Sequence, residues 1–172
     1  MSSGSMGVMN VWLSRVKISW MISSAFRSTS EISLAIRRPD TARLTWAKKT
    51  AVAGLDLSKL SRPQIYAREA LLLAELPQQM LVRLQAIRIG DIAIGAIPCE
   101  VFAETGLAIK QQSPFKPTFT IELANGYSGY LPTPGQHALG GYETWRARSS
   151  YLETEAATKI LDTLMRLFAQ LR

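Results

Sequence analysis

The chain has 172 residues, of which 47% are hydrophobic and 19% charged, with a formal net charge of +7. This balance supports one domain with a buried core and excludes a disordered chain, and no run approaches the roughly 18 uninterrupted apolar residues of a membrane span. Residues 1–50 hold eight basic side chains against Glu31 and Asp40, a net of +6, while residues 51–172 hold 12 basic and 11 acidic groups, a net of +1.

Excess charge in the first third suits an anionic surface, such as an anionic membrane touched peripherally, although a solvated face explains it more simply. No RNA-binding aromatic motif or zinc-finger spacing accompanies it, so nucleic acid is not expected as a partner. The single cysteine, Cys99, cannot form an internal disulfide and leaves the compartment unspecified. Gly7 to Phe26 is fairly apolar, but Arg15 and Lys17 interrupt it and no charged segment precedes it, so it reads as neither a signal peptide nor a transmembrane helix. Residues 1–28 are set apart as a leader, poorly ordered by expectation, and residues 29–172 as the folded domain.

In chain order, Ile32, Leu34 and Ile36 alternate with polar or small residues as in a half-buried strand. Asp40 is placed to cap a helix through Arg43, Trp46 and Lys49 towards Gly54. A second helix should follow Ser61, with Pro63 in its first turn and Pro77 beyond its end. Met80 to Ile89 and Ile92 to Ile97 read as strands of a hairpin closed by Gly90-Asp91. Pro98 ends the second, so Cys99 and Glu100 stand between a strand and a helix expected from about Val101 to Gln111. Phe119, Ile121 and Leu123 share one face of a further strand, which leads into the loop Asn125-Gly-Tyr-Ser-Gly-Tyr130. Thr133-Pro134 suggests a brief helical turn, broken by Gly140-Gly141, with Tyr142 and Glu143 in irregular or short extended structure. Ser150-x-x-Glu153 fits a capping box before a helix whose apolar face runs through Leu152, Ala156, Ile160, Leu164, Leu167, Phe168 and Leu171. The predicted class is α/β or α+β, a mixed sheet with packed helices.

The segments IGDIAIGAIPCEVFAETGLAIK and IELANGYSGYLPTPGQHALGGYETW together resemble the catalytic domain of the neutral (alkaline, non-lysosomal) ceramidase family, especially its short bacterial members. The resemblance runs from about Leu84 to Leu152 and extends more thinly back to about Ser30. It implies a partial ceramidase-like domain, the C-terminal half of the catalytic domain of an amidohydrolase that cleaves the N-acyl bond of ceramide or a related N-acyl lipid. In that family zinc is held by two histidines, a glutamate and a tyrosine. Glu100 matches the glutamate, Tyr130 the tyrosine, and Tyr142 a tyrosine that hydrogen-bonds the oxygen of the tetrahedral intermediate.

Carboxylate and phenolic oxygens bind zinc directly, and a phenol can donate to an oxyanion. His137 matches neither histidine ligand, however, and Gly90-Asp91-Ile-Ala is not the family's serine-bearing motif. The expectation is an incomplete zinc site and an isolated chain without activity. A truncated product or subunit that associates with itself, a partner chain or an anionic lipid surface is the alternative. Another alternative pairs Cys99 as nucleophile with His137 as base.

Overall fold

Strand β1 (Ala25–Ala35) is longer than its apolar signal, because Arg27, Ser28, Thr29 and Ser30 conceal the alternation that pairing enforces. It lies antiparallel along the whole of β2 (Gln79–Ile89), from Ala25 opposite Ile89 to Ala35 opposite Gln79. The computed structural model describes residues 25–54 and 56–172. The strand therefore includes residues 25–28 of the stretch set apart as a leader, and residues 1–24 lie outside the described residues.

Two helices connect β1 to β2. Asp40 accepts the Arg43 backbone N–H at 2.7 Å and starts α1 (Thr41–Thr50), which ends on Lys48 and Lys49 near its negative dipole end, short of Gly54. A 3₁₀ turn (Leu57–Lys59) leads to α2 (Arg62–Glu75), where the Gln64 side chain accepts the Ser61 N–H at 2.8 Å and Pro63 occupies the first turn. Ala47, Ala67 and Ala70 form a small buried cluster where these helices meet, separate from the main core.

Gly90, at φ +60°, and Asp91 close the expected hairpin from β2 into β3 (Ile92–Ala96). After β4 (Glu100–Val101), helix α3 (Ala103–Gln112) carries the chain to β5 (Thr118–Ile121), which joins β3 in parallel with Ile94 opposite Phe119. The resulting mixed sheet has the order β1-β2-β3-β5. A second sheet pairs β4 with β6 (Tyr130–Leu131), again in parallel. Helix α4 (Pro134–Leu139), a 3₁₀ turn (Tyr142–Thr144) and α5 (Ala156–Ala169) complete the chain.

Helix α5 buries Ile160, Leu164 and Phe168 against Leu34, Val82, Leu84 and Ala93. Gly95 allows the close approach: a Cβ there would lie 3.4 Å from Leu164 Cδ1 and 3.5 Å from Phe168 Cζ. Each large apolar side chain so buried contributes about 1.5–3 kcal/mol of transfer free energy. The structure is a mixed α/β fold, as the element order predicts.

Ser150-x-x-Glu153 does not cap α5, which begins at Ala156 after Glu155. Instead Glu153 accepts the Ala35 N–H at 2.8 Å, the Ser150 hydroxyl accepts from Arg37, and Leu152 bridges Ile36. The pattern pins the chain before α5 to the end of β1, because those strand-end donors are satisfied there rather than at the helix. Phe119 and Ile121 do share a face, but it points away from α5 and leaves them 41% and 46% exposed. The strand ends at Ile121, and Leu123 adopts φ +53° beyond it. No helix among the described residues is long and apolar enough to cross a membrane.

Candidate functional site

Leaving β3, the buried segment Ile97 to Cys99 is held by the loop that follows β5. The Ala124 N–H donates to the Ile97 carbonyl at 3.1 Å, Leu123 to Cys99 at 3.1 Å, and Ser128 to Pro98 at 2.6 Å. Asn125 at φ +66° and Gly126 at φ +149° let that loop reverse around the strand end. It then delivers β6 alongside β4, with Glu100 opposite Tyr130 in parallel register and the Glu100 N–H donating to Gly129 at 2.9 Å.

Gly129 is required at this crossing. Its φ is +75°, and a Cβ would fall 2.5 Å from the Ser149 carbonyl oxygen, whose neighbouring contact is the Tyr130 N–H at 2.8 Å. The loop sequence thus fixes the position of Tyr130 from both sides.

The structure brings together all three residues singled out from the sequence. Glu100 and Tyr130 are partly buried register partners, and the exposed Tyr142 ring meets the Tyr130 ring edge-on, with centroids 5.7 Å apart. The Tyr130 phenol is pushed well above its ordinary range, foremost by interaction with the Tyr142 hydroxyl, then by desolvation and the negative charge of Glu100. It is a neutral phenol near pH 7.

Tyr127, in the same loop, was assigned no role by the sequence reading. Its hydroxyl donates to Glu100 Oε1 at 3.2 Å, and desolvation followed by the Glu100 charge raises its pKa. Its position three residues before Tyr130 was the available signal. A carboxylate beside three phenols can bind a cation through oxygen and donate hydrogen bonds to a developing anion. From Tyr127 an open cavity of about 450 Å³ runs past Arg148 to Tyr66 and Glu69 on α2.

Arg37 holds the chain around Tyr142. Its Nη1 donates to the Thr144 carbonyl at 3.0 Å, Nε to Leu152 at 2.8 Å, and Nη2 to the Ser150 carbonyl at 2.8 Å and hydroxyl at 2.9 Å. Thr133 caps α4 by accepting the Gln136 N–H at 3.2 Å, so the Thr-Pro step does form a short helix.

Cys99 is fully buried, and burial pushes its thiol up to about 12, the opposite of an activated nucleophile. His137, on α4, has its pKa lowered by burial and then by Arg37, with Glu155 opposing. Burial and the raised thiol pKa argue against Cys99 as a nucleophile for His137 to activate. Among the described residues no group of three or more His, Cys, Asp or Glu side chains comes together to hold a metal ion.

No family model and no curated protein matches the chain. Solved structures do. A crystal structure of neutral ceramidase from Pseudomonas aeruginosa aligns over 86% of this chain with a TM-score of 0.55 and 14% identity. A ceramidase complexed with C2 aligns over 56% at a TM-score of 0.46 and 19% identity. The chain spans 28% and 15% of the lengths of those two structures. The first of these likenesses establishes a ceramidase-like fold for this chain.

Proposed function

We propose that the chain supplies part of the site of a zinc-dependent amidohydrolase acting on the N-acyl bond of ceramide or a related N-acyl lipid. The observation that carries this reading is the parallel register of Glu100 with Tyr130, with the Tyr142 ring against Tyr130. Glu100 and Tyr130 are neighbouring oxygen donors of types that zinc accepts, and the second phenol, Tyr142, is of a type that donates to an oxyanion. The ceramidase-like fold supports the same reading.

These residues do not make a complete zinc site. Catalytic zinc normally takes three protein ligands and an open position, whereas Glu100 and Tyr130 supply two, one of them a phenol that must first lose its proton. Hydrolysis is therefore assigned to the chain only in company with the remaining ligands, and the chain alone is expected to be inactive.

The test is hydrolysis of a fluorescent ceramide by the purified chain, alone and mixed with the histidine-bearing part of a neutral ceramidase catalytic domain. Expected is no turnover alone and turnover in the mixture that Glu100→Gln abolishes. Turnover by the chain alone that survives Glu100→Gln would place the chemistry elsewhere.

A second reading, association with a protein partner, is favoured by the sheet face opposite α5. Ile87, Ile89, Ile92 and Ile94 are only partly covered there, and Phe119 and Ile121 are exposed beside them. An antiparallel sheet with one wet face normally alternates apolar inward with polar outward, and this part of the sheet does not. Its apolar outer side suits another protein surface, and in the absence of a partner it suits self-association.

A further inference from the structure

Beyond Tyr66 the 450 Å³ cavity gives way to a second cavity of about 260 Å³ that shares Tyr66 as a wall. Arg43 and Trp46 of α1, Arg62 and Pro63 at the start of α2, and Trp145 and Arg146 after the Tyr142–Thr144 turn complete its lining. We propose that this cleft binds a phosphate-bearing ligand, its phosphate held by the three guanidinium groups and its attached planar or apolar group laid against the indoles.

Charge and geometry carry the inference. No carboxylate lines the cleft, and among the described residues none of Arg43, Arg62 and Arg146 has an acidic partner within ion-pair distance. The undescribed residues contain no Asp or Glu at all. The nearby acid, Glu69, is already taken: Arg148 holds it at 2.8 Å and Arg68 at 3.6 Å. Three arginines thus line one concavity with no carboxylate to balance them, Arg146 donating only to the Arg38 carbonyl at 3.4 Å, and their charge suits an anion.

Indole rings lie against two of the three cations. The Arg43 guanidinium lies 3.9 Å from the Trp46 ring centroid and that of Arg62 5.6 Å from Trp145, while Tyr66 meets Trp145 edge-on at 5.1 Å. An indole against one face of a guanidinium leaves the N–H groups in its plane able to make a bidentate hold on phosphate oxygens. The chemistry fits the phosphate of a soluble ester or that of a phospholipid headgroup.

Calorimetric titration of the full chain with phenyl phosphate and with inorganic phosphate tests the proposal. Saturable binding is expected, tighter for phenyl phosphate, with Arg43→Gln and Arg62→Gln each weakening it about tenfold as a charge-assisted contact is lost. Trp145→Ala should weaken phenyl phosphate more than inorganic phosphate. Arg43→Lys, which keeps the charge and loses the fork, should fall between wild type and Arg43→Gln. Circular dichroism confirms that each variant is folded. Arg83→Gln, on β2 and paired with Glu31, is a charge-matched control that should leave affinity unchanged. Absence of saturable binding to the wild type, or equal weakening by Arg83→Gln, would overturn the proposal. Co-sedimentation with phosphatidic acid vesicles separates the sources. Sedimentation that phenyl phosphate competes away supports the site as a headgroup site, and phenyl phosphate binding without sedimentation supports it as a site for a soluble ester.

Discussion

Glu100 and Tyr130, thirty positions apart in sequence, face each other across two parallel strands of two residues each. So short a pair cannot hold its register alone. It is set by the loop on either side, which ties Ser128 to Pro98 at 2.6 Å and Tyr130 to Ser149 at 2.8 Å.

Gly129 is where that construction is most sensitive. Gly129→Ala would force a Cβ to within 2.5 Å of the Ser149 carbonyl oxygen at a φ of +75°. We expect a loss of about 2–3 kcal/mol, a fall of several degrees in thermal midpoint, from positive-φ strain and the backbone clash together. Gly126→Ala, whose Cβ would meet only Pro98 Cβ at 3.6 Å, should cost less although its φ is also positive. Thermal denaturation followed by circular dichroism compares the two.

Arg37→Lys should be far from conservative. A lysine ammonium cannot reproduce a planar fork bonded to Thr144, Ser150 and Leu152. The expected cost is about 2 kcal/mol, with faster amide hydrogen exchange around Tyr142 to Trp145 while α5 keeps its protection. Hydrogen exchange read by mass spectrometry checks both.

The Glu69–Arg148 pair gives a pH signature. Burial raises the Glu69 pKa, but hydrogen bonds from Arg148 and the charges of Arg148 and Arg68 outweigh it, and the net shift is downward from 4.5. A carboxylate lowered in the folded state stabilises fully above its unfolded pKa and loses that contribution as pH falls through the folded one. Because Arg148 is half exposed, the contribution is limited to about 1 kcal/mol. Glu69→Gln should therefore lower the thermal midpoint by a few degrees at neutral pH, and the gap from wild type should shrink as pH drops below about 4.

The outer sheet face predicts concentration-dependent association of the purified chain. Ile121→Lys places a charge on an exposed edge strand and should shift sedimentation velocity towards monomer with little loss of stability, since Ile121 is 46% exposed. Unchanged association would move the contact away from this face.

The legible parts of the fold are those written locally. Gly90-Asp91 between two apolar runs announces the hairpin, Asp40 and Ser61 announce their helices, and the Ile160, Leu164, Phe168 stripe announces the helix that covers the core. Alternation told that Phe119 and Ile121 share a side of β5 but could not tell which side α5 covers, because both answers have the same period. Ser150-x-x-Glu153 misled because its oxygens are claimed by donors of β1 and Arg37 more than a hundred residues away. Resemblance singled out Glu100, Tyr130 and Tyr142, and the structure brings them together. Tyr127 was passed over although it stands in the same loop, and the arginine cleft draws on residues a hundred positions apart that no local pattern joins.

Zinc titration of the isolated chain, followed by calorimetry and metal analysis, tests the central claim most directly. Two oxygen donors predict an affinity micromolar or weaker, weakened further by Glu100→Gln and by Tyr130→Phe and untouched by His137→Ala. Tight, stoichiometric zinc that survives Glu100→Gln and is lost on His137→Ala would contradict the assignment of Glu100 and Tyr130 as the chain's share of the metal site.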